Sequence, residues 1–405
     1  MARTKLAASI VWLSTMLVAA PALAKQVPIT SKAELTRHLR DTPPGISPLD
    51  WLSPGARKRF LAQLQFGDHG LQGLSLDDPQ DELTHAQIVQ LLALFGAEKY
   101  AVGEGLTPAE QSRREHERAA DAAARGCDVE TCPESAIEQR FDELVLHKPD
   151  SSMPDAKRAA LFGQHYDRFF SSYQVPEHLR SISDPDLRLL KRAVDEAVFH
   201  APDETHVAQL QMDLAELSRR NMVDDKDYAS LYQALLASRQ FARAGALARQ
   251  HTDMDAQAVP TLRKHSSLPP GWPTALTVSA QGQTMFRQAF DLSTPLRIVV
   301  VASCHFSQDA ARAIEADAQL RPVFASHAIW LAAQNESFNA VIDWNREFPD
   351  QPIHIAWQDS EWSMLDSWAM PTFYVFRHGR LVKKFSGWYD LNTLKQSLRE
   401  TGVLR

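Results

Sequence analysis

The chain is poor in three features that often point to a function: cysteine, long apolar runs and an excess of positive charge. Its 405 residues include only three cysteines, and its 43 Lys and Arg residues are outnumbered by 50 Asp and Glu residues. Because no basic stripe is present, nucleic-acid binding is disfavoured. No segment after the N-terminus is apolar enough to cross a bilayer, so we expect no stable membrane insertion of the mature protein.

Metal-binding and metalloprotease patterns are also missing. A zinc site built on Cys127 and Cys132 needs two more ligands nearby, and the only close histidine is His116. His116 and Glu117 do not extend to a metalloprotease spacing, because position 120 is alanine. The sequence therefore predicts neither a metal site nor another cofactor.

The first 24 residues predict a signal peptide. Arg3 and Lys5 form a short basic region, an apolar stretch covers residues 6–18, and the small residues of Ala22–Ala24 suit a signal peptidase. An uncleaved membrane anchor is the alternative, but the apolar stretch is short for a span of about 20 residues. We therefore expect an exported, periplasmic protein.

Three cysteines in an exported protein leave one without a partner. Cys127 and Cys132 are close in sequence and distant from Cys304. An oxidising compartment favours a local disulfide between the first two, with two reduced thiols as the alternative. This pairing leaves Cys304 free.

Residues 25–270 predict mostly helix. Ser31 and Thr107 begin capping-box patterns, and apolar residues recur at helical spacing over residues 187–248. Residues 228–251 resemble one tetratricopeptide-type helical hairpin, and a plain helical bundle is an equally favoured alternative. Since no catalytic constellation is found here, we interpret this all-α region as a module for partner binding or scaffolding. The predicted regions are 25–180, which holds the disulfide, 181–262, which holds the hairpins, and a linker over 263–273.

From about residue 274 the pattern becomes strand-like. Arg297–Ala302 is a continuous, β-branched apolar run that suits a central buried strand, and Cys304 and an amphipathic stretch follow it. This order places the thiol at a helix N-terminus, where backbone amides and the helix dipole stabilise a thiolate. Further on, residues 353–357 predict a strand and residues 360–368 a short helix.

Residues 274–405 resemble the thioredoxin superfamily. The resemblance rests on the strand before Cys304, the hairpin sequence MPTFYVFRHGRLVKKFSGW over residues 370–388, and a final helix. It implies an α/β thioredoxin-like domain with a cis-proline at Pro371, and substrate binding by Met370, Pro371 and Thr372. The insertion after Cys304 and the hairpin before the central strand resemble those of exported TlpA/ResA-type reductases.

The sequence departs from the family at the active-site motif. The usual Cys-x-x-Cys is Cys304-His-Phe-Ser307 here, and the usual buried acidic residue is replaced by Ile298. A second thiol normally releases the substrate from the mixed disulfide, and a hydroxyl cannot do so. A monothiol motif therefore predicts trapping, slow isomerisation or exchange with an external thiol such as glutathione.

These residues predict a thiol-disulfide oxidoreductase or isomerase with an incomplete active site. Cys304 is the expected nucleophile, assisted by His305 and Ser307, although His305 can instead face solvent and Ser307 can instead cap the helix. The expected partners are exported proteins with free or mispaired cysteines, or a dedicated redox partner.

Two other hypotheses stay open at this point. The chain can be a binding or scaffold protein whose thioredoxin-like domain has lost its chemistry. Alternatively, Cys127 and Cys132 can exchange with Cys304 and supply the missing second thiol from another region.

Overall fold

A computed structural model describes residues 27–68, 70–103, 105–147, 150, 152–263 and 268–404. They form two compact units, one ending at Glu115 and the other beginning at His116. The predicted signal peptide, residues 1–24, lies outside the described residues. Within the described part of the chain, no helix is both long and apolar enough to span a bilayer.

The first unit combines helices with one short hairpin around its own cluster of buried apolar side chains. Its α-helices and strands are α1 (Lys32–Asp41), α2 (Pro54–Gln63), β1 (Gln65–Gly67), β2 (Gly70–Gly73), α3 (Asp77–Glu82) and α4 (His85–Ala93). The prediction of an all-α N-terminal region is therefore wrong at β1 and β2. Gly70, at the start of β2, adopts a φ of +101°, which glycine tolerates and a helix does not allow.

Helix α5 (Pro108–Arg125) contains the division between the two units. It begins at the predicted capping box: Glu110 N donates to Thr107 Oγ1, and Thr107 N donates to Glu110 Oε2 at 2.7 Å. As its polar sequence predicts, the helix buries a single residue, Ala122.

The second unit begins with a run of helices whose apolar faces are buried. In α10, for example, Val207, Leu210 and Leu214 recur at helical spacing and are fully inaccessible to solvent. The helices are α6 (Ala136–Leu146), α7 (Asp155–Phe170), α8 (Pro176–Ser181), α9 (Asp184–His200), α10 (Glu204–Arg219), α11 (Ala229–Ala237) and α12 (Phe241–Gln250). The predicted domain boundaries at 180, 262 and 273 stay predictions.

An eight-stranded mixed sheet follows, with strand order β10-β9-β6-β7-β8-β4-β5-β3. Its strands are β3 (Thr261–Arg263), β4 (Thr274–Val278), β5 (Thr284–Ala289), β6 (Arg297–Val301), β7 (Ala328–Ala332), β8 (Ile353–Ala356), β9 (Thr372–Arg377) and β10 (Arg380–Ser386). The helices between and after them are α13 (His305–Ala316), α14 (Leu320–His327), α15 (Phe338–Glu347) and α16 (Leu391–Glu400). Strands β6, β7 and β8 are parallel, whereas β9 is antiparallel to both β6 and β10.

Strand β6 is buried on both faces of the sheet, which explains its unbroken apolar sequence. Ile298 and Val300 belong to the cluster that also contains residues of α13 and α16, while Val299 and Val301 belong to the cluster on the opposite face. The C-terminal end of β6, three residues before Cys304, is therefore held in the core of the sheet.

The helices before the sheet share one contiguous buried cluster with it. At the turn between α11 and α12, the Arg239 guanidinium donates to the backbone oxygen of Trp357 at 2.9 Å. Gln334, after β7, donates to the backbone oxygen of Ala237 at 2.8 Å. The helices α6–α12 thus pack as an integral part of the second unit.

The predicted helix over residues 360–368 is wrong. Only a short 3₁₀ turn, Asp359–Trp362, is helical, and the chain then runs irregularly to Met370. Trp362 and Leu365 are buried in the cluster on one face of the sheet. The spacing of these apolar residues reflects contact with the sheet and not a helical period.

Candidate functional site

Cys304 lies between the buried strand β6 and helix α13, at the N-cap position of the helix. Its backbone oxygen accepts hydrogen bonds from Ser307 N at 2.9 Å and Gln308 N at 3.1 Å, which close the first turn. The thiol is free and partly exposed. We call residues 303–307 the thiol segment. It places the sulfur at the N-terminal end of α13.

Ser307 is fully buried and faces the thiol. Its Oγ lies 3.3 Å from Cys304 Sγ, and either atom can be the donor. When the cysteine is a thiolate, the hydroxyl must be the donor, so Ser307 can stabilise the charged form. The distance also shows that a side chain of this size at position 307 reaches the Cys304 sulfur without a change in the backbone of α13.

His305 and Phe306 are both exposed at the start of α13. Their ring centroids lie 3.9 Å apart, and Phe306 keeps half of its surface accessible. The structure therefore places His305 in the thiol segment but in solvent, with its ring tilted against that of an apolar neighbour.

The segment that precedes β9 also contacts the sulfur. We call residues 366–371 the proline segment. The Met370–Pro371 peptide bond is cis, and Cys304 Sγ lies 3.7 Å from the backbone oxygen of Met370. Ser303 Oγ lies 3.1 Å from Met370 Sδ. Residues 67 positions apart in the sequence thus meet around one thiol.

Thr372 fixes the junction between the proline segment and β9. It is fully buried, and its Oγ1 donates to the backbone oxygen of Ala369 at 2.6 Å. The backbone oxygen of Pro371 accepts from Gly387 N at 2.8 Å, beyond the end of β10. Thr372 therefore supports the backbone beside the sulfur from within, and its own side chain is not open to a ligand.

Two residues that hold the proline segment were not found from the sequence. The Tyr374 hydroxyl, on β9, accepts from Ser367 N at 2.9 Å and lies 2.8 Å from Asp366 Oδ1. Asp155, at the start of α7, accepts from Trp368 N at 2.7 Å. No local pattern marks either residue, because each acts on backbone that is distant in sequence or irregular.

Cys127 and Cys132 lie between α5 and α6, with their sulfur atoms 1.89 Å apart and their Cα atoms 5.1 Å apart. Cys127 also makes local contacts with the backbone oxygen of Ala122, to which its N donates at 3.0 Å and from which its Sγ lies 3.5 Å. The structure thus pairs these two cysteines and brings Cys304 together with Ser307 and Met370 instead.

The described residues contain no group of three or more His, Cys, Asp or Glu side chains arranged to hold a metal ion. Ile298, at the position where the resemblance leads one to expect an acid, is fully buried in β6. Comparisons with protein-family models, curated proteins and solved structures gave no match. Function is therefore inferred from the chemistry of the thiol and proline segments.

Proposed function

We propose that this chain is a monothiol, thioredoxin-like protein that forms mixed disulfides with client proteins through Cys304. One observation carries the proposal: a free thiol at the start of α13 meets both the Ser307 hydroxyl and the backbone of a cis Met370–Pro371 bond. The helix start and the Ser307 hydroxyl suit a stabilised thiolate, and the Met370–Pro371 backbone suits an incoming peptide.

The order of elements supports a thioredoxin-like fold. A central strand leads into the thiol and α13, a parallel strand β7 follows, and an antiparallel hairpin and a final helix end the chain. The preceding β4–β5 hairpin and the inserted α15 and β8 agree with the resemblance to TlpA/ResA-type proteins.

The chemistry is a thiol-disulfide exchange with no net oxidation. The Cys304 thiolate attacks one sulfur of a client disulfide, a new bond forms to that sulfur, and the other client sulfur leaves as a thiolate. Because Ser307 offers no second thiol, a thiolate from outside the motif must attack the client sulfur of the mixed disulfide. This step expels Cys304 as a thiolate and leaves the client sulfur in a new disulfide with the attacking thiol. The adduct therefore persists longer than in a dithiol protein.

The surroundings of the thiol favour an apolar client segment. Phe306, in the thiol segment, and Met370, in the proline segment, are about half and two-fifths exposed. Large apolar side chains in contact with water near a reactive group commonly mark a binding surface. With the predicted signal peptide, this proposal makes the clients periplasmic proteins whose cysteines are disulfide-bonded, mispaired ones included.

The test uses a short peptide that carries one cysteine as a disulfide with a chromophoric thiol. The wild-type protein is expected to release the chromophore and to retain the peptide on Cys304, as shown by non-reducing peptide mapping. The variant C304S is expected to do neither. The double variant C127S/C132S is the matched control, because it removes cysteine sulfurs at the other site and keeps Cys304. Unchanged adduct lifetimes in this variant exclude exchange between Cys304 and the Cys127–Cys132 pair.

A non-catalytic binding protein is the second candidate, and one observation favours it. The sulfur is only partly exposed and already has polar neighbours in Ser307 and Met370, while the apolar side chains around it are open. This candidate predicts that C304S keeps full affinity for a partner captured by the wild-type protein. If the wild-type thiol fails to react with the peptide disulfide while partner binding persists, the thiol-exchange proposal is wrong.

A further inference from the structure

The proline segment has no regular backbone hydrogen bonding of its own. Between the 3₁₀ turn that ends at Trp362 and the start of β9 at Thr372, the chain is neither helix nor strand. Its backbone groups must therefore be held by other parts of the chain if its position beside Cys304 is to be defined.

Asp155 holds this segment through two hydrogen bonds that run in opposite directions. Its backbone N donates to the backbone oxygen of Asp366 at 3.0 Å, and its Oδ2 accepts from Trp368 N at 2.7 Å. The second bond joins residues 213 positions apart and involves a carboxylate. Hydrogen bonds to charged groups are shorter and stronger than neutral ones.

The position of Asp155 is itself well defined. It is the first residue of α7, and the helix dipole gives this end of the helix a positive partial charge. The second carboxylate oxygen of Asp155, Oδ1, pairs with Arg158 one turn later. The side chain is about three-quarters buried. Helix α7 is in turn packed in the core through Tyr166 and Phe170, both fully inaccessible to solvent.

Few bonds separate Asp155 from the thiol. Trp368, whose amide it holds, is two residues before Met370, and the backbone oxygen of Met370 lies 3.7 Å from Cys304 Sγ. The intervening Ala369 is fixed through its oxygen by Thr372. A shift of Trp368 away from α7 must therefore move the backbone that faces the sulfur.

We infer that Asp155 is a positioning residue for the proline segment: it fixes the Met370–Pro371 backbone against which a client peptide docks before its disulfide meets Cys304. This inference rests on the proposed function. It also gives the helices α6–α12 a role besides partner selection, because α7 is the element from which the segment is held.

The test compares two probes of the same thiol in the full-length protein. Iodoacetamide needs only access to Cys304, whereas the peptide disulfide described above also needs the proline segment. The variant D155A is expected to slow the reaction with the peptide disulfide about tenfold, which is the effect of losing one charge-assisted hydrogen bond, and to leave the iodoacetamide rate unchanged.

Two further variants separate positioning from general loss of structure. D155N keeps an oxygen that can accept from Trp368 N and is expected to restore most of the peptide rate. D203A removes the N-cap of α10, where Asp203 Oδ1 accepts from His206 N at 2.8 Å, and is expected to leave the ratio of the two rates unchanged. If D155A does not fold, the supporting result is taken from D155N: its reaction with the peptide disulfide should be about twofold slower while its iodoacetamide rate is unchanged.

The outcomes also separate the inference from the proposed function. If the wild-type protein reacts with the peptide disulfide but D155A, or D155N in its place, keeps the wild-type ratio of rates, the inference is overturned and the function stands. Equal slowing of both probes likewise overturns it. If the wild-type protein does not react with the peptide disulfide at all, the function and the inference are both wrong.

Discussion

The thiol segment and the proline segment meet at one sulfur atom, but they are positioned in different ways. The thiol segment joins a strand to a helix, and its backbone bonds are local: Cys304 O accepts from Ser307 N and Gln308 N. The proline segment has no such ladder and is held by Asp155 and Tyr374, from elements elsewhere in the sequence. One half of the site is therefore robust to distant changes, and the other half depends on them.

This difference separates the chemistry of the thiol from the selection of its partner. Substitutions of side chains that contact the Cys304 sulfur are expected to change its rate or fate with any reagent. Substitutions that reach the proline segment are expected to change only reactions that need a docked peptide. The predictions below sharpen or break this separation.

The largest effect is expected for Ser307→Cys. Because Ser307 Oγ lies 3.3 Å from Cys304 Sγ, a cysteine at this position can attack the mixed disulfide within the molecule. An intramolecular thiol acts at a far higher effective concentration than an external one, so the adduct lifetime should fall at least about a hundredfold. Stopped-flow release of the peptide measures this. An adduct as long-lived as in the wild type would show that the two positions do not cooperate, and C304S/S307C is the control for attack by the new thiol alone.

Tyr374→Phe is expected to weaken the proline segment. The substitution leaves Ser367 N without the acceptor that holds it, so the free energy of unfolding should fall by about 1–3 kcal/mol. The reaction with the peptide disulfide should slow while the iodoacetamide rate is kept. Urea denaturation and the two probes measure these effects. Tyr232→Phe is the matched control, since its hydroxyl bonds to the backbone oxygen of Gln257 among the helices. If Tyr232→Phe slowed the peptide reaction selectively and Tyr374→Phe did not, the assignment of Tyr374 as a residue that holds the proline segment would be contradicted.

A pH effect is expected from the helices that support α7. Asp213 is fully buried, and its pKa is raised to about 8: burial and the nearby Asp195 raise the pKa, and Gln174 and Lys191 oppose the shift. Gln174 Nε2 donates two hydrogen bonds, one to Asp213 Oδ2 at 3.1 Å and one to the hydroxyl of Tyr166 at 3.2 Å. Tyr166 is a residue of α7.

The sign follows from proton release on unfolding. The unfolded carboxyl ionises near its ordinary pKa of 3.8, whereas the folded one stays protonated until about pH 8. Stability should therefore fall as the pH rises through this window, by about 1.4 kcal/mol per pH unit, and level off above it. Urea denaturation between about pH 6.5 and about pH 8 measures the slope. Asp213→Asn should flatten it, and an unchanged slope in that variant would assign the effect to another group.

The smallest effect is expected for Ser307→Ala. Loss of the hydroxyl removes one hydrogen bond to the sulfur, so both iodoacetamide and the peptide disulfide should react about two- to fivefold more slowly. The ratio of the two rates should not change, since the proline segment is untouched. Ser303→Ala is the contrasting variant: it removes the contact with Met370 Sδ and should leave the iodoacetamide rate alone. A changed ratio in Ser307→Ala would show that the two segments are coupled.

Much of the thiol segment could be predicted from the sequence. An unbroken β-branched run, a cysteine and an amphipathic stretch predict strand, thiol and helix in that order, and the structure places β6, Cys304 and α13 accordingly. Contacts along three or four residues determine this arrangement. The resemblance of residues 370–388 to a known hairpin likewise drew attention to Pro371.

The proline segment shows where this reasoning stops. The chain leading into it, residues 360–368, has apolar side chains at spacings that fit a helix, yet only Asp359–Trp362 is helical. Trp362 and Leu365 are spaced to contact the sheet, and the backbone bonds to Asp155 and Tyr374. Periodicity alone cannot distinguish a helix from an irregular segment that covers a sheet.

The sequence by itself determined the order of strands and helices around Cys304, the single thiol in a Cys-x-x-Ser motif and the proximity of Cys127 to Cys132. The tertiary structure alone decided that Asp155 and Tyr374 meet the proline segment and that α6–α12 share a core with the sheet. The physical reason is range. Helical turns, caps and buried strands are encoded by neighbouring residues, whereas a hydrogen bond across 213 positions exists only once the whole unit has packed.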